Sequence, residues 1–313
     1  MKTYKIIFMG TTDFGEPALK RLISDGHTIL SVFCQPDRPN RRGKKIEFLP
    51  IKKLALENDC LIYQPEQIND QEIVTMIREM APDFLVVAAY GQKLSPEILA
   101  IPKYGALNIH GSLLPKYRGA APIQRSIING DRQTGVTIMQ MGEGMDTGDM
   151  FISAEVEITE RTTYGGLHND LSELGGQLLC DNLEEIAEKR LLGQKQNDAE
   201  ATYAEKIDKG LGMLDWSLPG QVLVSLINGL DPHPGAYFYL NDQKIKCFSP
   251  IFEKKDVSLQ AGQVVESDFQ SGLAVSVSDG LLWIDEIQYP GKKRMPMKEF
   301  LRGNAIAPGS FLG

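Results

Sequence analysis

Cysteine is sparse and unpatterned in this chain of 313 residues: Cys34, Cys60, Cys180 and Cys247 are scattered, with no Cys-x-x-Cys pair. Neither these nor the four histidines fall at metal-ligand spacing, so no disulfide scaffold and no metal site is expected. Long apolar runs are missing too. Nothing approaches the eighteen or so uninterrupted apolar residues of a membrane helix. The start Met-Lys-Thr-Tyr-Lys-Ile-Ile-Phe lacks the apolar core and small-residue cleavage site of a secretion signal. A cytoplasmic protein with reduced, mostly buried thiols is the expectation. Gly10 and Gly15 do not make a Gly-x-Gly-x-x-Gly fingerprint, and no Gly-Lys-Ser/Thr phosphate loop occurs, so phosphate cradling is unsupported. Positive charge is in deficit, with 33 Lys and Arg against 41 Asp and Glu and a formal net charge of −8. That balance argues against indiscriminate nucleic-acid binding.

Two local basic clusters stand against the acidic background. Arg38, Arg41, Arg42, Lys44, Lys45, Lys52 and Lys53 surround the single Glu47, and Lys292, Lys293, Arg294, Lys298 and Arg302 surround Glu299. Each fits a solvated charged face, and the pair together fits a polyanionic partner. The first cluster begins in a long polar loop, Gln35-Pro-Asp-Arg-Pro-Asn-Arg-Arg-Gly-Lys-Lys, at the carboxyl end of an expected strand. Loops of that length in compact domains tend to carry function.

Continuous apolar strands alternate with helices over the first two thirds of the chain. Strands are expected at residues 5–9, 29–34, 61–63, 83–91, 105–109, 135–141 and 152–158, and helices at 16–24, 50–58, 70–80, 121–129 and 163–189. This pattern implies an α/β fold with a doubly wound, mostly parallel, Rossmann-like sheet. Residues 192–206 are polar and read as a linker between domains spanning 1–191 and 207–313. The second domain shows one helix, 218–228, and short strands at 236–240, 244–248, 262–266, 273–278 and 281–287, with Asn241-Asp242 and Asp279-Gly280 as hairpin turns. A small, partly open β-barrel of the oligonucleotide-binding (OB-like) kind fits that pattern.

The densest chemistry lies at Asn108, His110 and Ser112, which alternate along the strand end and point to one side if extended. Gly111 and Pro115 stop the strand, so these side chains sit where it meets a loop, the place ligands bind in open α/β sheets. An imidazole can carry a proton near neutral pH, an amide can donate to an oxyanion, and a carboxylate such as Asp146 can orient the imidazole. The same residues also fit a structural histidine beside a turn asparagine. Spacing leaves both readings open. His27, after a helix end, suggests capping or a dipole interaction; His168 inside a helical run suggests a structural role, and His233 lies in a turn.

The run from Asn108 through His110-Gly-Ser-Leu-Leu-Pro-Lys-Tyr-Arg-Gly-Ala-Ala-Pro-Ile-Gln124, with Asp146-Thr-Gly-Asp149, resembles the signature of the tetrahydrofolate-dependent formyltransferases. The likeness extends through the start Ile-Ile-Phe-Met-Gly-Thr-Thr-Asp-Phe14, the Gln35-Pro-Asp-Arg-Pro39 loop, Val136–Gln140, Thr202–Lys206, Asp215-Trp216 and Pro290–Lys293, essentially the whole chain. Thr12 departs from the family at a turn position. Gly111, where sugar-amine formyltransferases typically carry proline, and the presence of a second domain place the resemblance with the members that act on tRNA.

The resemblance implies transfer of the formyl group of 10-formyltetrahydrofolate to the α-amine of methionyl-initiator-tRNA; a monomer is the expectation, and nothing in the sequence implies a metal. It implies that Asn108, His110 and Asp146 are catalytic and that Ser112, Leu113, Leu114 and Pro115 contact the folate. Arg41, Arg42, Lys44 and Lys45 would contact the tRNA, supported by the second domain. A non-catalytic RNA-binding protein would need none of the first three. Arg42→Ala is expected to raise the KM for the tRNA and weaken the salt dependence of binding while folate binding stays intact. An unchanged tRNA KM in steady-state kinetics at several salt concentrations would remove that loop from the account.

Overall fold

Residues 6–10 of the first strand, Lys5–Gly10 (β1), are buried without alternation, as expected of a strand covered on both faces. The computed structural model describes residues 2–38, 47–208, 210–256 and 258–313. Arg41, Arg42, Lys44 and Lys45 lie outside the described residues. After β1 come Glu16–Ser24 (α1), Thr28–Phe33 (β2), Pro50–Glu57 (α2), Ile62–Tyr63 (β3), Gln71–Met80 (α3), Phe84–Ala88 (β4), Pro96–Leu99 (α4) and Ala106–His110 (β5). The helices start at sequence-encoded stops: Pro50 opens α2, and Ser95 caps α4 by accepting the Ile98 N–H. β4 ends before the expected Gly91 because Ala89 and Gly91 take positive φ (49° and 91°) and turn the chain.

Next are Arg118–Gly119 (β6), Pro122–Ile128 (α5), Gln133–Gln140 (β7), Met150–Glu157 (β8), Tyr164–Ala187 (α6) and Tyr203–Ala204 (β9). The seven-stranded sheet runs β3-β2-β1-β4-β5-β7-β8. β1 to β5 are parallel, and β7 lies antiparallel to β5 with His110 opposite Thr137 and Leu107 opposite Gln140. The strand order changes direction between β1 and β4, which opens a crevice at their carboxyl ends. There the Thr11 hydroxyl and the Gln35 amide both donate to the Tyr90 carbonyl (2.7 and 3.2 Å) and tie the strand ends together.

The remaining elements are Gly220–Gly229 (α7), Ala236–Leu240 (β10), Gln243–Lys254 (β11), Val264–Asp268 (β12), Gly272–Val277 (β13), Gly280–Gln288 (β14), Met295–Pro296 (β15) and Met297–Gly303 (α8). They form an antiparallel sheet in the order β10-β11-β14-β13-β12, with β15 on β14. Asn241 and Asp242 make the β10–β11 turn with both φ positive, whereas the β13–β14 turn is Ser278-Asp279 and Gly280 already pairs with Val277. The tail closes the two ends of the strand path: Gly313 exchanges backbone bonds with Tyr239 of β10, and Val264 of β12 donates to Ser310.

Two compact units result. The first comprises Met1–Gly119, Gly135–Val156 and His168–Ala204, and the second Ala120–Thr134, Glu157–Leu167 and Glu205–Gly313. Helix α5 thus joins the second unit, because α7 carries Gly229 where a Cβ would lie 2.5 Å from Ile128 Cγ1 and 3.1 Å from the Gln124 carbonyl. The polar stretch 192–206 is bonded into the first unit as far as Ala204: Gln194 exchanges two backbone bonds with Met150, and β9 pairs with β6. All four cysteines are free, and burial pushes the Cys34 and Cys180 thiols up to about 11 and about 12, so both stay protonated.

Asp279 caps α7 from across the second unit, its carboxylate accepting the Gly220 N–H at 2.8 Å. Asp279→Ala is expected to cost about 1 kcal/mol and to lower a thermal unfolding midpoint by about 2–8 °C in calorimetry. An unchanged midpoint would show that water replaces the cap.

Candidate active site

β5 delivers Asn108 and His110 to one face of the sheet, since alternate residues of a strand point the same way. Asn108 is half-buried between Val87 of β4 and Met139 of β7, and His110 is buried at 5% exposure. Ser112 does not continue the alternation. Its N–H returns to the His110 carbonyl at 2.9 Å, and its buried hydroxyl donates to the Lys116 carbonyl at 2.6 Å. The turn after Gly111 therefore takes Ser112 out of the row that period two predicts.

Both ring nitrogens of His110 have partners. Nε2 lies 3.0 Å from the Tyr117 carbonyl, an atom that can only accept, so Nε2 carries a hydrogen and donates. Nδ1 faces Asp146 Oδ2 at 3.7 Å. The same carboxylate oxygen accepts the Gly119 N–H at 2.8 Å. Two non-glycine residues of this set adopt left-handed backbone, Tyr117 at φ 60° and Asp146 at φ 53°. Such conformations cost about 1–3 kcal/mol each and persist only where surrounding contacts fix them.

Thr137 holds the segment beyond His110. Its fully buried hydroxyl donates to the Ser112 carbonyl at 2.7 Å and accepts the Leu114 N–H at 3.2 Å. Leu113 packs over β7 at Gly135, where any Cβ would collide with it. Leu114 is buried, while Leu113 and Pro115 remain half-buried and present apolar surface beside the strand end. Deeper in the crevice Tyr90 is buried, and Gln92 is spent locally, accepting the Ile68 N–H and donating to the Pro65 carbonyl.

Several residues of this arrangement escape the sequence reading. Tyr117 and Gly119 contribute main-chain atoms, which no side-chain pattern announces; Thr137 looks like any strand threonine. Other positions take different parts from those expected. His27 accepts the Tyr4 N–H at Nδ1 (3.2 Å), tying a strand start to a helix end rather than capping. His168 sits 3.5 Å from Asp13 and edge-on to Phe14, a structural contact. Arg294 of the second basic cluster is engaged by Asp231 and Glu286 (2.8 and 2.5 Å) and lies over the Phe248 ring, whereas Lys292 and Lys293 are exposed. Among the described residues no group of three or more His, Cys, Asp or Glu could hold a metal, and no helix is long and apolar enough to cross a membrane.

Comparison with known proteins adds the following. Residues 4–183 match the formyl transferase family and residues 206–305 the formyl transferase C-terminal domain. Methionyl-tRNA formyltransferase of Alkaliphilus metalliredigens is 43% identical over 99% of this chain and 98% of its own. That of Clostridium tetani is 44% identical over 98% and 99%. Among solved structures, a sugar 3N-formyl transferase crystallised with dTDP and 5-N-formyl-THF superposes with a TM-score of 0.67 at 19% identity, covering 94% of this chain and 100% of that one. HypX from Aquifex aeolicus in complex with tetrahydrofolic acid gives 0.66 at 16% over 96% of this chain, which spans only 47% of HypX. These two likenesses bear on the fold alone.

His110→Ala is expected to lower turnover by about 10²–10⁴-fold while the thermal unfolding midpoint moves by only a few degrees. Near-wild-type turnover would return His110 to the structural reading.

Proposed function

The chain belongs to the formyl transferase family, and we propose that it moves the formyl group of 10-formyltetrahydrofolate to the α-amino group of methionyl-initiator-tRNA. The observation that carries this reading is the pairing of buried His110 with half-buried Asp146 beside Asn108, set within a chain matched from end to end by relatives of that name. The enzyme is a formyltransferase; its acceptor is the proposal.

In this reading the neutral amine attacks the formyl carbon, forming the new C–N bond and an oxyanion. The Asn108 amide donates to that oxyanion, and His110 donates or relays a proton through Nδ1, the ring atom not committed to Tyr117. Asp146 holds the proton released by the amine, which then passes to N10 of tetrahydrofolate as the C–N10 bond breaks. One proton leaves the acceptor amine and one arrives on the leaving nitrogen, so charge and atoms balance. Ser112, Leu113, Leu114 and Pro115 line the folate side; Leu113 and Pro115 supply the apolar surface a flat pterin needs, and Ser112, with its N–H on the His110 carbonyl and its hydroxyl on the Lys116 carbonyl, holds the turn that presents them.

Arg41, Arg42, Lys44 and Lys45, which follow β2 in the sequence, contact the tRNA phosphates in this reading. In this reading the first unit, which includes the stretch 192–204, is the catalytic one, and the second unit, with its antiparallel sheet, binds the tRNA through exposed cations such as Lys292 and Lys293. The protein acts as a cytoplasmic monomer.

The test is transfer of labelled formyl from 10-formyltetrahydrofolate with methionyl-initiator-tRNA, an amino-sugar nucleotide and water as competing acceptors. Label on the tRNA alone is the expected result. Label on the sugar or in formate would overturn the acceptor while leaving formyl transfer in place.

A further inference from the structure

The loop that carries Asp146 has an unusual course. β7 ends with Gln140 opposite Leu107, while Thr137 lies opposite His110, so residues 141–146 must double back along β5 for Asp146 to face the His110 ring. A loop that doubles back over a strand has no ladder of its own. Only specific bonds can fix where its carboxylate stops.

One side chain supplies those bonds. Gln196 Nε2 donates to the Asp146 carbonyl and to the Gly148 carbonyl, both at 2.8 Å, using both hydrogens of its amide. Gln196 Oε1 in turn accepts Arg118 Nε at 3.0 Å. Arginine can only donate and the two carbonyls can only accept, so the amide has one possible orientation. Arg118 is 2% exposed and anchored from the other side by Asp198 at 2.7 Å, and its own N–H donates to the Thr202 carbonyl.

The same strap, residues 196–202, also fixes the opposite wall of the pair. Thr202 Oγ1 accepts the Tyr117 N–H at 2.9 Å, next to the carbonyl that holds His110 Nε2. Arg118 is followed directly by Gly119, whose N–H holds Asp146 Oδ2. One short segment therefore sets both halves of the imidazole–carboxylate geometry. We propose that Gln196, oriented by buried Arg118, is a positioning residue for formyl transfer that sets the Asp146 turn against His110. This inference rests on the reading of Asp146 as the working partner of His110.

The test is a double-mutant cycle on purified full-length protein, with Gln196→Ala, Asp146→Asn and the double variant. Gln196→Glu serves as a second probe, because its carboxylate still accepts Arg118 Nε while the two bonds to the turn are lost. Gln196→Ala and Gln196→Glu are each expected to lower kcat by about ten- to a hundredfold, with KM for folate and for tRNA within about twofold. In the Asp146→Asn background Gln196→Ala should change kcat little further, since groups acting as a unit are not additive.

A near-wild-type kcat in Gln196→Glu, a loss carried by KM, or a full repeat of the Gln196→Ala loss in the Asp146→Asn background would each overturn the proposal. Should the wild type pass formyl to an amino sugar or to water, the tRNA reading fails alone, and the cycle is read with that acceptor.

Discussion

Because the Nε2 hydrogen of His110 is given to a main-chain carbonyl, the imidazole has a single nitrogen, Nδ1, left to face Asp146. Everything around it can be understood as a consequence of that commitment. The Tyr117 carbonyl reaches the ring only because residue 117 takes a left-handed backbone. The free nitrogen faces a carboxylate whose oxygen is itself steadied by the Gly119 N–H. Within a buried setting such bonds are stronger than in water and leave few alternative arrangements. The ring is held as a directional device.

The sheet provides the platform for this device. Parallel strands β1, β4 and β5 end side by side, and the antiparallel β7 is inserted next to β5. That single reversal supplies Thr137, which pins the segment 112–114, and launches the loop that returns to His110. An all-parallel sheet would need a helical crossover at that edge in place of the short doubled-back loop.

Much of the architecture was legible in the sequence because apolar runs and punctuation residues agree. Lys5 to Met9, Glu16 to Ser24, Ala236 to Leu240 and the helix of residues 164–187 lie where hydrophobic period and flanking Gly or Pro put them. Spacing left Asn108, His110 and Asp146 open to a structural reading, and it was the resemblance of the surrounding run to the formyltransferases that singled them out. Other features depend on contacts between residues far apart in the chain. Ser112 leaves its row through a local turn bond, and α5 joins the second unit through a glycine 100 or so positions away. Gln196 lies in a polar stretch whose composition reads as linker, and only its two carbonyl acceptors distinguish it from its neighbours. Arg294, one of five cations in a basic run, is paired with Asp231 and Glu286, which folding brings to it.

The anchors at positions 117 and 119 have a consequence for how this site tolerates sequence change. A carbonyl at 117 and an amide at 119 are supplied by the peptide bond, so the hydrogen bonds survive exchange of the Tyr117 side chain provided its backbone is kept. Position 119 is closed for a different reason: its φ is 120°, and a Cβ there would sit 2.8 Å from the Ala204 carbonyl. Nearby positions thus face unlike demands, one on conformation alone and one on conformation and volume together. Substitution can rewrite the lettering around His110 while the imidazole–carboxylate geometry stays put, until it reaches a residue whose shape, and not its chemistry, is what that geometry requires.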